Sequence, residues 1–256
     1  MAQVAVVVLT KNEEAHLRAC LESAAWADRL VVFDSYSDDA TLDIAAGMGA
    51  EILQHPWENY ATQRNAALQA VDTPWIFFLD ADEQITPPLA GEIRQAVAAG
   101  GGTCGYWVPR HNVFWGHRLQ GGGWYPDHQL RLLRRGAASY DPAIGVGEVA
   151  AVKGPTGVLA GHLIHFNYDS PAEFRTKQRA WYVEYEARVL LERGTRPRPW
   201  TYVSMPLREF WRRFVTLGGY RDGWLGAYLC GLMGWYVFLA HWRLRELRAA
   251  QQQDWF

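Results

Sequence analysis

Three early runs of apolar residues each end in a cluster of acids and amides, and this pattern constrains the fold most. Val4–Leu9 reads Val-Ala-Val-Val-Val-Leu and leads into Thr10-Lys11-Asn12-Glu13-Glu14. Leu30–Phe33 leads into Asp34-Ser35-Tyr36-Ser37-Asp38-Asp39, and Trp75–Leu79 into Asp80-Ala81-Asp82-Glu83. Runs that are apolar at every position suit strands covered on both faces. A short run at Glu51–Leu53 and helical stretches containing Glu13–Ala24, Ala40–Ala46 and Tyr60–Ala70 complete a βαβ pattern, that of a mostly parallel sheet flanked by helices. Such sheets bind ligands beyond the carboxyl ends of their strands, so the three acidic clusters are expected on one functional edge. No Gly-x-Gly-x-x-Gly or P-loop pattern follows a strand, which argues against a dinucleotide fold and a P-loop nucleotidase.

With 256 residues, 49% hydrophobic and 20% charged, the chain has the composition of a globular protein with one large core or two small ones. Its three cysteines, Cys20, Cys104 and Cys230, are far apart, which argues against a disulfide framework or a thiolate zinc site. No basic stretch or cleavage site precedes the apolar run at Val4, so a cytoplasmic protein is expected. Charge is unevenly placed: from Ser170 onward there are 14 Lys+Arg against 8 Asp+Glu, while the part before it is acidic. The acidic part would hold the chemistry and the basic part would meet an anionic partner.

From Gly100 to Gly123 the chain is rich in Gly and aromatics and reads as loop. Gln129–Leu133 reads as a further strand, and Tyr140–Gly157 as irregular. Ser170-Pro171-Ala172-Glu173 carries an N-cap, a Pro at the first helical position and the distal Glu of a capping box, predicting a helix to about Arg193 with Gly194 as its stop. The expected division is an α/β domain over 1–169 and a helical region over 170–256. Trp224–His241 is 18 residues without Asp, Glu, Lys or Arg, a length at the lower limit of a membrane span. Its glycines, tyrosines and histidine favour instead a helix lying at the membrane surface or packed on a partner, with buried core and a true span as the other readings.

Asp80-x-Asp82 is the most informative motif. Two carboxylates two residues apart, where a buried strand emerges, can hold a divalent cation and the ribose of a nucleotide donor; a solvated turn is the plain alternative. Mg²⁺ or Mn²⁺ prefers such carboxylate, water and phosphate oxygens. Taken together, Leu-Thr-Lys-Asn-Glu-Glu at 9–14, Asp-Ser-Tyr-Ser-Asp-Asp-Ala-Thr at 34–41, Gln-Arg-Asn at 63–65 and Phe-Leu-Asp-Ala-Asp-Glu at 78–83 resemble glycosyltransferase family 2 of the GT-A fold. The resemblance is strongest to bacterial enzymes that add glucose to the inner core of lipopolysaccharide. It is carried further by Arg110-His111-Asn112, Gly122-Gly123-Trp124-Tyr125-Pro126-Asp127, Arg131-Leu132, Gly147-Glu148 and His165-Phe166-Asn167-Tyr168.

The resemblance implies that Thr10, Asn12 and Glu13 line the nucleotide pocket, that Asp34 contacts uracil and that Arg64 supports the base or diphosphate. It implies Asp80 on the ribose, Asp82 on the metal and His165 completing the metal site or a diphosphate contact. Inverting transfer needs a base to deprotonate the acceptor hydroxyl. Glu148 and Asp127 are the two candidates. Arg131 is expected to bind phosphate of the donor or of a phosphorylated acceptor.

The implied partners are a UDP-sugar donor, with glucose first, a lipid-linked saccharide such as a heptose of the lipopolysaccharide core, and the anionic inner face of the bacterial inner membrane. The membrane would be met by Arg208, Trp211, Arg212, Arg213 and Trp224. Nucleic acid is not among the expected partners, and a homo-oligomer contact is another use for the apolar C-terminal helix. A sugar-nucleotide pyrophosphorylase would need a glycine-rich basic loop after the first strand, where this chain has Thr-Lys-Asn-Glu-Glu. A non-catalytic nucleotide-sugar binder would not need Asp80, Asp82 and Glu148 together.

Overall fold

Successive side chains of the first apolar run go to opposite faces of one sheet, which is why every position is apolar. Val4, Val6 and Val8 pack with Leu17, Cys20, Leu21, Leu89 and Ile93 on one face. Ala5 and Val7 pack with Ala61, Ala67, Ile76, Phe78 and Leu133 on the other. The computed structural model describes residues 3–143 and 150–253. These fall into two units, 1–111 with 127–166 and 112–126 with 167–256.

The first unit is α/β. Its chain begins β1 (Val4–Thr10), α1 (Leu17–Ala24), β2 (Arg29–Asp34), α2 (Thr41–Gly47), β3 (Glu51–Gln54), α3 (Tyr60–Ala70), β4 (Trp75–Asp80), β5 (Glu83–Ile85) and α4 (Pro87–Ala98). Strands β3, β2, β1 and β4 are parallel neighbours, so Thr10, Asp34, Gln54 and Asp80 end on one edge. Register sets Thr10 beside Asp34 and Leu9 beside Asp80.

Beyond β4 the sheet becomes mixed. The later strands are β6 (Gly105–Phe114), β7 (His117–Arg118), β8 (Asp127–Arg134), β9 (Ala138–Ser139), β10 (Ala151–Val152), β11 (Thr156–Val158) and β12 (Leu163–Tyr168). The sheet order is β3-β2-β1-β4-β8-β6-β12-β5, with β8 antiparallel to both β4 and β6, and β12 antiparallel to β5. Two expectations change here. The 100–123 stretch, read as loop, contains the ten-residue strand β6. Pro109 inside it mimics a strand breaker, yet it pairs with His128 in the ladder to β8. Helix α1 starts at Leu17 rather than near Glu13, because the backbone of 12–14 bonds to side chains of the next loop instead.

The second unit is helical: α5 (Pro171–Lys177), α6 (Val183–Glu192), α7 (Thr201–Trp211) and α8 (Gly223–Gln253), with a π-type turn at Gln178–Tyr182. The predicted cap is present, Ser170 Oγ accepting from Glu173 N at 3.2 Å, while Glu173 Oε2 accepts at 2.9 Å from the N–H of Asp169, one residue before the cap, rather than from Ser170 itself. Gly194 leaves α6 at φ 67°, as a C-terminal stop requires. Segment 112–126, grouped by the sequence reading with the first domain, belongs with these helices: Asp222 accepts from Gln120 N at 2.8 Å and Gly121 N at 3.0 Å. The core is Phe114, Leu119, Phe174, Val183, Leu229, Met233 and Tyr236. A Cβ on Gly234 would stand 2.9 Å from the Pro206 carbonyl oxygen, so α7 and α8 cross closely where Gly234 lacks a side chain. The helical stretch Gly219–Gln251, which includes α8, contains an 18-residue window of mean hydropathy 1.3, long and apolar enough to cross a membrane, and 44% of that window is buried against the protein.

Candidate active site

The first two acidic clusters interlock. Asn12 takes φ 57°, a left-handed conformation that Asn tolerates, and its Oδ1 accepts from Asp38 N at 3.0 Å. Ser37 Oγ accepts from Asn12 N at 2.9 Å, and Thr41 Oγ1 from Glu13 N at 2.8 Å. Asp34 is fully buried and accepts from Thr10 Oγ1 at 2.9 Å, Ser37 N at 2.8 Å, Ser37 Oγ at 2.5 Å and Gln54 Nε2 at 3.2 Å. Burial alone would raise its carboxyl pKa; the hydrogen bonds from Ser37, Gln54 and Thr10 outweigh burial and hold it below the ordinary value. Thr10, Asn12 and Asp34 thus fasten the two loops to each other.

Beside them is a cleft of about 360 Å³ lined by Leu9, Glu13, Tyr60, Arg64, Asp80, Ala81, Asp82, Arg110, Gln129, Arg131 and His165. Six residues expected at the site from sequence meet here: Glu13, Arg64, Asp80, Asp82, Arg131 and His165. Strand β4 delivers Asp80, β8 delivers Arg131, β12 delivers His165, and α3 carries Arg64. Asn59 caps α3 by accepting from Thr62 N at 2.9 Å, which fixes where the helix begins.

The floor of the cleft is an ion network. Arg131, 2% exposed, donates from Nη1 to Asp80 Oδ1 at 3.2 Å, from Nη2 to Asp80 Oδ2, and from Nη2 to Glu83 Oε1 at 2.7 Å. Arg64 donates to Asp80 Oδ1 at 3.1 Å and stands 5.6 Å from the Phe78 ring centre. Arg110 donates to Glu83 Oε1 at 2.8 Å and to Asp127 Oδ2 at 2.8 Å and 2.6 Å. Burial pushes the Asp80 carboxyl pKa up, but Arg131, Arg64 and Arg110 together hold it far below the usual carboxylate range. Burial works against the Arg131 guanidinium too, and Asp80 and Glu83 more than compensate, fixing its charge. Asp80 is therefore a pre-oriented anion. Beneath it, Cys20 of α1 donates from Sγ to the Asp80 carbonyl oxygen at 3.5 Å.

Asp82 is held differently. Its side chain is 34% exposed, and Oδ2 lies 3.1 Å from His165 Nε2. The pairing of β5 with β12, His165 opposite Glu83, brings the histidine to this position. Among the described residues no three His, Cys, Asp or Glu side chains converge as a protein-only metal site. One carboxylate and one imidazole facing a cleft nevertheless fit a cation that shares its remaining positions with water and phosphate oxygens.

Asp127 is not on the cleft lining; it is bonded to Arg110 and accepts from Gln129 Nε2 at 2.7 Å. Glu148 lies outside the described residues. Sequence reasoning assigned no role to Glu83, Arg110, Tyr60 or Gln129. Glu83 and Arg110 stood inside motifs quoted above, but nothing in a linear sequence shows that β5, β6 and β8 bring them onto one network. Tyr60, half exposed beside Trp57, gave no signal beyond its place at the start of α3.

The pattern described as Glycosyl transferase family 2 matches residues 5–143. At 30% identity, 94% of the chain aligns with 92% of the lipopolysaccharide core biosynthesis glycosyltransferase LpsC of Rhizobium meliloti (strain 1021). The chain belongs to glycosyl transferase family 2. Two solved structures share the fold of this family 2 glycosyltransferase. The mannosyltransferase PcManGT from Pyrobaculum calidifontis, in complex with GDP-Man and Mn²⁺, matches with TM-score 0.54 at 13% identity, over 94% of this chain and 86% of that one. S. aureus TarS 1-349 in complex with UDP matches with TM-score 0.50 at 15% identity, over 86% and 75%. Both agree with the GT-A architecture expected from the sequence.

Proposed function

We propose that this glycosyltransferase moves a hexose, glucose first, from a UDP-sugar to a heptose-like, lipid-linked sugar of a lipopolysaccharide core, with inversion and with Mg²⁺ or Mn²⁺ bound. The observation that carries the reading is the division of labour between the two aspartates of Asp-Ala-Asp. Asp80 is kept ionised by three guanidiniums, and its exposed third can accept hydrogen bonds from ribose hydroxyls. Asp82 and His165 face the same cleft and would hold the cation. A cation there would neutralise charge developing on the departing diphosphate. LpsC, the relative aligned over nearly the whole chain, is named for lipopolysaccharide core biosynthesis, which supports the acceptor class. The UDP in the TarS complex supports the donor nucleotide.

In this reaction the acceptor hydroxyl attacks the sugar carbon from the face opposite UDP, and a carboxylate takes its proton. Asp127 is a weak candidate for that task, because it is off the cleft lining and its oxygens are already engaged by three hydrogen bonds from Arg110 and Gln129. This favours Glu148 as the base and leaves Asp127 to position Arg110. Tyr60 offers a half-exposed ring at the cleft for stacking against the donor.

The test is a thermal-shift screen of the whole chain against UDP, GDP, ADP and UDP-hexoses, with and without Mn²⁺, followed by sugar transfer to a purified lipopolysaccharide core acceptor. Ligands that bind the folded state raise its apparent stability. Stabilisation by UDP and one UDP-hexose that requires Mn²⁺ and is lost in Asp82→Ala supports the reading. Stabilisation only by another nucleotide, or full transfer in excess EDTA, overturns it.

A further inference from the structure

An amphipathic surface helix normally turns its apolar stripe toward the core. Helix α7 has apolar residues on two sides: Tyr202 packs edge-on against Phe238 and Trp242 of α8, and a second apolar stripe is left facing outward. Trp200, Val203, Leu207 and Trp211 fall at helical spacing along one side of the segment, and each is 60–63% exposed. The acid of this helix, Glu209, points the other way: its side chain is 14% exposed, and it accepts from Arg212 at 2.7 Å and Arg213 at 2.6 Å. Arg213 is also committed inside the unit, donating to the Gly122 carbonyl at 2.8 Å and standing 5.1 Å from the Trp124 ring. It is thus removed from the lipid-facing set expected from sequence.

From Thr195 to Tyr220 the chain has five arginines, Arg196, Arg198, Arg208, Arg212 and Arg213, against the single acid Glu209. Arg208 is exposed at the edge of the stripe, and Arg198 stands 5.2 Å from the Trp200 ring at its start. Tryptophans at both ends, aliphatic residues between them and arginines alongside suit the plane where acyl chains meet anionic headgroups. A water-exposed stripe of this kind marks an interaction surface. We propose that the outward face of α7, rather than the longer and more apolar α8, is where this protein docks on an anionic phospholipid surface. Helix α8 is in part the core on which α7 rests, through the close approach at Gly234.

The docking surface does not depend on the donor reading, and one experiment separates the two. Full-length protein and the variants Leu207→Asp, Trp211→Ser and Arg208→Gln are sedimented with phosphatidylcholine vesicles, with or without a third of phosphatidylglycerol. UDP-dependent thermal stabilisation is measured on the same samples. The expected result is wild-type binding to the anionic vesicles, at least about tenfold weaker partitioning for Leu207→Asp and Trp211→Ser, and a weaker salt dependence for Arg208→Gln. An unchanged UDP response in all variants shows that the fold and the cleft survive. Equal binding by wild type and both stripe variants overturns the proposal, as does absence of wild-type binding. So does a wild-type dimer that Leu207→Asp converts to a monomer, because the stripe would then cover a second copy of the chain.

Discussion

In the floor of the cleft, Arg131 and Glu83 are 2% and 0% exposed, and Arg131, Arg64 and Arg110 are matched to Asp80, Glu83 and Asp127. At its rim, one strand turn away, Asp82 keeps a third of its side chain in solvent beside His165. Both regions are rich in carboxylates, and a count of charges would treat them alike. What separates them is the cost of removing one member. A buried ion left without its partner is expensive, whereas an exposed carboxylate can be neutralised with little effect on folding. The floor should govern stability and the rim should govern chemistry.

The sharpest test pairs Asp82→Ala with Glu148→Gln. Each should lower sugar transfer on the order of a hundredfold or more, while urea unfolding stays within about 0.5 kcal/mol of wild type for Asp82→Ala. Glu148→Gln should keep Mn²⁺-dependent UDP stabilisation, and Asp82→Ala should lose it. If Asp127→Asn removes transfer while preserving stability and Glu148→Gln does not, the base is Asp127. Next in size, Arg131→Met should destabilise the fold by about 3–5 kcal/mol in urea melts, because Glu83 would stay fully buried, and Asp80 two-thirds buried, without their shared cation. A loss below about 1 kcal/mol would show that floor and rim are not different after all.

The pH dependence of unfolding refines the same contrast. Asp80 and Asp34 are both held below the ordinary carboxyl range, so each binds its proton more readily in the unfolded chain. Their contribution is complete above the unfolded pKa of about 4 and is lost as pH falls from there through the folded values. Stability from these groups should therefore be level between about pH 8 and 5 and decline below about pH 4, with a shallower decline in Asp34→Asn. The smallest effect expected is in Asn59→Ala, which removes the cap of α3, the helix that carries Arg64. It should cost about 1 kcal/mol and leave transfer within a few-fold of wild type.

The parallel half of the sheet was legible because a strand buried on both faces can carry no polar residue, and Val4–Leu9 and Trp75–Leu79 carry none. The cap at Ser170 and the stop at Gly194 were legible because caps are local chemistry. Strand β6 was not: Pro109 and Arg110 look like loop residues until β8 supplies the ladder for one and Asp127 and Glu83 supply partners for the other. The residues meeting at the cleft could be collected from motifs, but the split between Asp80 and Asp82 could not. It depends on Arg131, 51 residues away from Asp80, and on His165, 83 residues away from Asp82. Likewise, composition pointed to the C-terminal region as apolar and basic, but only side-chain exposure distinguishes the outward stripe of α7 from the partly covered α8.

Cys20 sits under the end of β4 with no solvent exposure, donating to the Asp80 carbonyl oxygen, and burial together with Glu83, Asp82 and Asp80 pushes its thiol pKa up. In the native chain such a sulfur is both inaccessible and protonated, hence inert to alkylating reagents. It becomes reactive only when α1 and β4 separate. The labelling rate of Cys20 therefore serves as a stopwatch for excursions of the strand end that carries Asp80, and a bound donor that braces that strand would slow the stopwatch without touching the thiol.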